Sequence, residues 1–367
     1  MTRKTQNEVI SNVLFAALEL SKTTWVVACS DHNAAARIMH RVRAGDIDSL
    51  MRIFHRMKKR FGLTPEAEVR TVYEAGRDGF HPHRLLIARG VTSLIVNPAS
   101  IEVPKGQRQA KTDRVDAQKL LEILLRLALG HTVAKLVTAP TPEQEDQRQL
   151  PRERESIQKA ITAVSNRISS LLFAQGLTVD ARRLSVEELD ALRLWNGEAV
   201  PGLLHHRIVR AIEARDLLKK QLREVTKTMR EDVRSVDEMA RKLHRLKGIG
   251  LTSAIVIARE MFWRDFATRR QVGGYTGLTS VPRQSGATNR DLGISRTGNA
   301  RVRRMLVEDA WLWIRHQRDS KLSKWFFDKF EGKTMVGIVA LARRLAVAMW
   351  RWLKFDEVPE GAVLRPQ

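Results

Sequence analysis

Between residues 13 and 129 the apolar positions change period several times. Val13-Leu14-Phe15-Ala16-Ala17-Leu18 and Thr24-Trp25-Val26-Val27-Ala28-Cys29 are short apolar runs that predict adjacent strands, and residues 34–42 predict a third. The spacing then shifts toward three and four, predicting a helix over 46–61. A short strand at 68–73, a helix around 82–89 and a buried strand at 91–96 follow, the last stopped by Asn97-Pro98. A further helix is predicted from Thr112 to about Leu129, ended by Gly130. From about 140 to 247 the texture is charged and helix-forming. Residues 142–175 and 205–246 carry apolar positions at helical spacing, separated by Gly176, Trp195-Asn196-Gly197 and Pro201-Gly202. A long antiparallel helical pair follows from this pattern, suited to contact between protomers or to a nucleic-acid-facing arm.

Three early strands followed by strand and helix units predict a mixed α/β sheet, for which an RNase H-like (RuvC-like) layout is one of several that fit. The predicted organisation is an α/β domain at 1–135, a helical coiled-coil arm at 140–245 and a mostly α C-terminal domain at 246–367. No apolar run approaches a membrane-spanning length, and the N-terminus leads into no signal core, so a cytoplasmic protein without membrane contact is expected. The single cysteine, Cys29, excludes an internal disulfide and a multi-cysteine zinc knuckle, and reads as a small core residue.

Charge changes the picture more than hydropathy does. With 64 Lys+Arg against 41 Asp+Glu the net charge is +23, an excess that favours a polyanionic partner, nucleic acid before membrane. The excess concentrates around Ser285: from 283 to 304 there are six arginines, Arg283, Arg290, Arg296, Arg301, Arg303 and Arg304, against one acid, Asp291. A hydroxyl beside Gly286 in a loop of guanidinium groups suits a nucleophile for a phosphodiester, although a serine in such a stretch is more often a plain phosphate contact. Four carboxylates stand where a two-metal site would want them. Glu19 and Glu74 end predicted strands, and Asp113 and Asp116, flanked by Lys111 and Arg114, share one helix face. Such hard oxygen ligands suit Mg²⁺; Thr112 as an N-cap with Asp113 in the first turn is the purely structural alternative.

Other features divide between site and scaffold. Gly248-Ile249-Gly250 before a helix allows backbone amides to approach a phosphate, or makes a bare turn. Glu331-Gly332-Lys333-Thr334 lacks the first P-loop glycine, since position 327 is Phe327, which argues against nucleotide hydrolysis. Trp311, Trp313, Trp325, Trp350 and Trp352 lie in helical patterns and read as core rather than base-stacking platforms.

The four acids, Lys111-Thr112-Asp113-Arg114-Val115-Asp116-Ala117, Gly248-Ile249-Gly250, Tyr275-Thr276-Gly277-Leu278, Ser285-Gly286 and Ser295-Arg296-Thr297-Gly298-Asn299 together resemble the DEDD-type insertion-sequence transposases. That family pairs a RuvC-like N-terminal domain with a C-terminal serine transposase domain, and its members are known as bridge-RNA-guided recombinases. The resemblance implies Glu19, Glu74, Asp113 and Asp116 as Mg²⁺ ligands and Ser285 as the nucleophile that joins to DNA. It further implies donor and target DNA, a noncoding guide RNA and a homo-oligomer as partners. Glu19 departs from the aspartate usual in the family, its extra methylene shifting the carboxylate. The activity implied is transposition of the protein's own insertion sequence. The alternatives are a Holliday-junction or structure-selective nuclease using the acids and water, and a nonenzymatic nucleic-acid-binding protein.

Overall fold

A computed structural model describes residues 11–33, 36–101, 112–285, 288–330 and 334–366, with the side chains of 233–236, 284–285 and 288–291 outside that description. The chain divides into two compact units, 1–141 and 142–367.

In the first unit β1 (Val13–Glu19), β2 (Thr24–Ser30) and β3 (Ile38–Arg43) form an antiparallel meander, as the short apolar runs predict, with the third strand starting later than residue 34. After α1 (Ile47–Arg60), β4 (Glu68–Glu74) pairs parallel to β1; after α2 (His81–Ile87), β5 (Thr92–Val96) pairs parallel to β4, giving the order β3-β2-β1-β4-β5. Strand alternation sends side chains to two cores. Leu14, Ala16, Leu18, Val27 and Tyr73 join Leu50, Ile53 and Phe54 of α1 on one face. Val13, Phe15, Ala17, Val26, Ala28 and Val72 join Ala117, Leu120, Leu121 and Leu124 of α3 (Asp113–Ala128) on the other. Both faces are buried, which is why β1 and β2 read as continuous apolar runs rather than alternating ones. Cys29 is fully buried in β2, and burial pushes its thiol up to about 12, consistent with an inert core residue.

The second unit begins with a short helix, α4 (Pro142–Asp146), then α5 (Gln149–Phe173), α6 (Val186–Ala191), α7 (Gly202–Val236) and α8 (Glu238–His244). The helical pair predicted from spacing is α5 against α7: Ile168 and Leu172 near the end of one pack with Ile208 and Ile212 near the start of the other, so they run antiparallel. The other end of the pair is stitched to the remainder of the unit by charge. Buried Arg259 donates from Nε to Asp237 at 3.0 Å and from Nη1 to the Gln147 carbonyl at 2.9 Å, and also pairs with Asp232. Its own carbonyl accepts from Arg148 Nε at 3.0 Å.

The core of this unit gathers α9 (Leu251–Ile257), a π-turn at Ala258–Phe262, α10 (Arg269–Thr276), α11 (Ala300–His316), α12 (Lys321–Lys329) and α13 (Thr334–Phe355). Trp313, Trp350 and Trp352 are buried in it, as expected. Trp325 is half-buried and packs against the edge of this core, whereas Trp311 is 40% exposed, so the core reading fails for Trp311, which lies on the outer side of an amphipathic helix. No helix among the described residues is long and apolar enough to cross a membrane.

Candidate functional site

Three groups of sequence-derived candidates find their places in the two units. In the first unit the topology brings the strand-end acids together by parity. Glu19 follows Val13, Phe15 and Ala17 on the face of β1 that α3 covers, and Glu74 follows Val72 on the same face of the neighbouring parallel strand. Leu18 pairs with Tyr73, so the two acids occupy adjacent positions at the same end of the sheet. Asp113 lies one turn before the buried Ala117, and Asp116 one turn before the buried Leu120. Thr112 caps α3, its hydroxyl accepting from Val115 N at 3.3 Å, as the structural reading of this segment anticipates. Asp116 sits 4.0 Å from Lys119. All four acids thus belong to the α3 side of the sheet, and their oxygen donors are chemically suited to a hard divalent cation. Among the described residues no three His, Cys, Asp or Glu side chains converge on one cation position. Lys111 lies outside the described residues, and Arg114 is exposed.

In the second unit Ser285 is not in a loop. It is the last residue of β6 (Ser280–Ser285), which pairs with β7 (Thr288–Ile294) in a two-stranded hairpin, with Ser285 opposite Thr288 beside the turn. The loop expected around Ser285 is replaced by strand pairing up to Ser285 itself, and Gly286 lies outside the described residues. The Ser285 and Arg290 side chains lie outside the described ones, while Arg283 is exposed.

The hairpin's base is locked by two glycines facing each other. Gly277 has φ +67° and ends α10; Gly298 has φ +90° and precedes α11. A Cβ on Gly277 would stand 1.9 Å from the Thr297 carbonyl oxygen, and one on Gly298 would stand 2.2 Å from that of Tyr275. Only glycine permits this approach, which lets Asn299 N donate to Tyr275 O at 2.8 Å and Ser295 N to Thr279 O at 2.8 Å. The Tyr275-Thr276-Gly277-Leu278 and Ser295-to-Asn299 motifs, far apart in sequence, are therefore two halves of one joint.

Behind the joint lies an ion network that sequence reasoning missed. Glu260, buried in the π-turn, accepts a bidentate pair from Arg152 of α5 at 2.7 and 3.0 Å. Asn299 Nδ2 donates to the Glu260 carboxylate at 3.3 Å while its Oδ1 caps α11, and the Tyr275 hydroxyl donates to the Glu260 carbonyl. Burial alone would raise the Glu260 pKa; the Arg152 hydrogen bond and charge outweigh it and hold the carboxyl below its ordinary range. Glu155 of α5 is treated likewise: burial opposes ionisation, but Lys159, Arg301 and Arg304 bring it down to about 2. A π-turn within a helix marks where an inserted residue redirects side chains, the one sequence-remote signal that singles out Glu260.

These contacts bear on the basic candidates. Arg301 meets Glu155 at 2.6 Å and Arg304 meets it at 2.9 Å, so both spend charge inside the protein although each remains partly exposed. Arg303 donates to the carbonyls of Thr276 and Thr297 at 3.2 and 3.4 Å and props the glycine joint. Arg296 is exposed and opens onto a groove beside the hairpin. Gly248, at φ +95°, packs against helix α11, where a Cβ would lie 3.3 Å from the Leu312 carbonyl oxygen. Nearby, Arg365 of the C-terminal strap donates to the carbonyls of Leu246 and Ile249 at 3.1 and 2.9 Å. Gly250 is the N-cap of the short α9. The geometry of Gly248-Ile249-Gly250 is that of a packed turn.

The comparisons with known proteins fall on this same unit and extend beyond it. A model described as "Transposase IS116/IS110/IS902 family" matches residues 240–324, which contain the π-turn, the glycine joint, the hairpin and α11. The chain is 35% identical to the putative transposase y4rJ of Sinorhizobium fredii over 96% of its own length and 94% of that protein. It is 30% identical to the transposase for insertion sequence element IS1111A of Coxiella burnetii over 78% of each. It is 24% identical to the transposase for insertion sequence element IS1328 of Yersinia enterocolitica over 65% of this chain and 71% of that one. With the joint inside the matched segment and the similarity running nearly end to end, the chain belongs to the IS116/IS110/IS902 transposase family.

Proposed function

We propose that the protein is a DNA recombinase that transposes its own insertion sequence, with Ser285 as the nucleophile and the acids Glu19, Glu74, Asp113 and Asp116 as the Mg²⁺ site, guided by a noncoding RNA. Similarity along 96% of the chain to a protein named a transposase is the observation that carries transposition. The chemistry is supported by two placements. Adjacent parallel strands end in Glu19 and Glu74 on the face covered by the helix bearing Asp113 and Asp116, and the strand order β3-β2-β1-β4-β5 accords with an RNase H-like (RuvC-like) reading of the first unit. Ser285 stands beside the turn of a hairpin whose base is clamped by Gly277 and Gly298, a rigid mount for a reacting hydroxyl.

On this reading the serine oxygen attacks a DNA phosphorus, the O–P bond forms as the bond to the leaving sugar oxygen breaks, and the phosphodiester is held as an ester until the new strand end reverses the step. Arg283 and Arg296 are exposed cations of the hairpin segment that can take phosphate oxygens. Mg²⁺ held by the four carboxylates would supply charge neutralisation at the phosphoryl group. A chain carrying +23 has the surplus to hold DNA and RNA together, and the α5–α7 pair is suited to joining protomers.

The test is covalent. Incubated with labelled insertion-end DNA, cognate RNA and Mg²⁺, the protein should migrate as a DNA adduct that survives denaturation, and Ser285→Ala should lose adduct and recombination while retaining fold and binding. Cleavage and rejoining at the wild-type rate by Ser285→Ala would instead favour water attack, the nuclease reading; binding without any cleavage by the wild type would favour a nonenzymatic binder.

A further inference from the structure

Beside the base of the hairpin, the second unit opens a groove of about 1040 Å³ walled by Arg269, Arg270, Arg296, Arg343, Arg344 and Arg351. Among the described residues no carboxylate lines it. Arg351 is engaged by Glu357 at 2.6 Å; the other five form no ion pair with an acid among the described residues. Elsewhere in this unit arginines are met by carboxylates within 3.0 Å, as at Arg152, Arg259 and Arg301. Five guanidinium groups repel one another across a shared cleft, so the groove is a surface built for an anion.

Its floor is apolar. Trp325 and Phe330 stack edge to face at 5.3 Å, and Arg344 lies 3.7 Å over the Trp325 ring. Burial lowers the pKa of Arg344, so its charge sits partly stripped of water. Met335 and Val336 continue the floor while 63% and 65% exposed, an unusual state for apolar side chains among cations. Two arginines are held in place by the backbone around them. Arg296 adopts φ +55°, a left-handed conformation that is strained for a non-glycine residue, and its N–H is tied to the Gly277 carbonyl at 3.2 Å. Arg343 packs on Gly273, where a Cβ would approach its Nε to 3.1 Å.

Cations on the walls and aromatic and aliphatic faces on the floor match one polymer chemistry. Duplex DNA turns its bases inward and has nothing to place on Trp325 and Phe330. An unpaired strand offers phosphates and bare base faces together. The groove also adjoins the proposed nucleophile: Ser280, Gly293 and Ile294 form one of its walls, Ser280 pairs with Ile294, and Ser285 lies five residues along the same strand, about 16 Å at ~3.3 Å per residue.

We infer that this groove binds a short unpaired segment of the DNA strand to be cut, with phosphates on Arg269, Arg270, Arg296, Arg343 and Arg344 and bases stacked on Trp325 and Phe330. The assignment of the strand to DNA rests on the reading of Ser285 given above; the preference for unpaired over paired nucleic acid does not.

Fluorescence anisotropy of the full-length protein with a labelled 12-nucleotide oligodeoxythymidine, the matching 12-base-pair duplex and a 12-nucleotide oligouridine, at several salt concentrations, tests it. Trp325→Leu should weaken single-stranded DNA roughly 5- to 100-fold, the span of base–aromatic stacking, and change duplex binding less than about 3-fold. Exposed Arg269→Glu with Arg270→Glu should weaken single-stranded DNA at least about 10-fold and flatten the dependence of its affinity on salt, which runs near −0.7 per phosphate contacted. This pair keeps the test decisive if Trp325→Leu unfolds, as judged by circular dichroism. Unchanged single-strand affinity in a folded variant overturns the inference, as does equal loss for single strand and duplex, or tighter binding of oligouridine than of oligodeoxythymidine. Repeating the binding in Ser285→Ala separates the two readings: loss of single-strand binding in groove variants with an unaffected adduct in Ser285→Ala would sink the nucleophile and leave the unpaired-strand groove standing, and the converse would sink the groove alone.

Discussion

Replacing Asp309 by asparagine should make the protein more stable at pH 8 and leave it nearly unchanged at pH 4. Asp309 lies in α11 with no exposed surface, among Leu306, Ala310 and Trp313 of the core, and among the described residues no donor reaches either carboxylate oxygen at hydrogen-bonding geometry, although the Ser253 hydroxyl lies near enough to act on it. Burial raises its pKa from 3.8 to about 7; the Ser253 hydroxyl, directed at Met305 Sδ at 3.8 Å, favours ionisation slightly and Glu308 opposes it. The sign follows from the two states. Below pH 4 the carboxyl is protonated both folded and unfolded, and it costs folding no ionisation energy. From there to about pH 7 the unfolded chain releases the proton while the folded one retains it, so stability falls with rising pH by ~1.4 kcal/mol per unit, about 4 kcal/mol over the window. Asparagine keeps the shape and removes the titration, though its amide still has to be desolvated. The net gain at pH 8 should therefore be about 3 kcal/mol, with the two proteins within ~1 kcal/mol at pH 4. Urea unfolding followed by the fluorescence of the buried tryptophans, repeated from pH 4 to 8 on both proteins, measures this difference directly. A difference between the two that does not change with pH would refute the reasoning, as would an asparagine variant less stable at pH 8.

Asp113→Ala or Asp116→Ala should abolish strand cleavage and leave DNA binding within about 3-fold, measured by gel cleavage and anisotropy on the same samples, because these acids are assigned to a cation rather than to phosphate; cleavage surviving in both would remove the metal assignment. Gly298→Ala places a methyl where 2.2 Å separates it from the Tyr275 carbonyl oxygen, at φ +90°, and should cost at least about 2 kcal/mol in chemical denaturation and disorder the hairpin; a wild-type transition would contradict the joint. Glu260→Ala leaves Arg152 without its carboxylate and should cost roughly 3 kcal/mol at pH 7. Since the folded carboxyl of Glu260 titrates below its ordinary value, the stability it contributes is present above about pH 4.5 and lost as pH falls through the lower folded value, so the two proteins' denaturation midpoints should converge in acid.

Much of the fold was legible because it is written in local periods. The two-sided burial of β1 and β2 produces unbroken apolar runs, the three- and four-residue spacing of 142–175 and 205–246 gives the antiparallel helices α5 and α7, and Thr112 before an apolar helix is a cap that needs no tertiary context. The adjacency of Glu19 and Glu74 was half legible: each residue's place at a strand end is local, whereas their common face depends on which strands pair. What lay beyond the sequence was set by contacts between distant segments. Whether an arginine faces solvent or a carboxylate is not encoded in its own neighbourhood: Arg301 and Arg304 look like phosphate ligands until Glu155, on a helix 146 and 149 residues earlier, is placed against them. The same holds for Gly277 and Gly298, whose reason for lacking a side chain is each other's backbone. Nor could spacing foresee that Arg269, Arg296 and Arg343, from a helix start, a strained turn and the middle of α13, would share a groove whose floor includes Trp325. Charge and hydropathy act along the chain at short range, but an electrostatic site is a sum over everything that folding brings within a few ångströms, and that sum exists only once the tertiary structure has chosen which charges cancel and which remain.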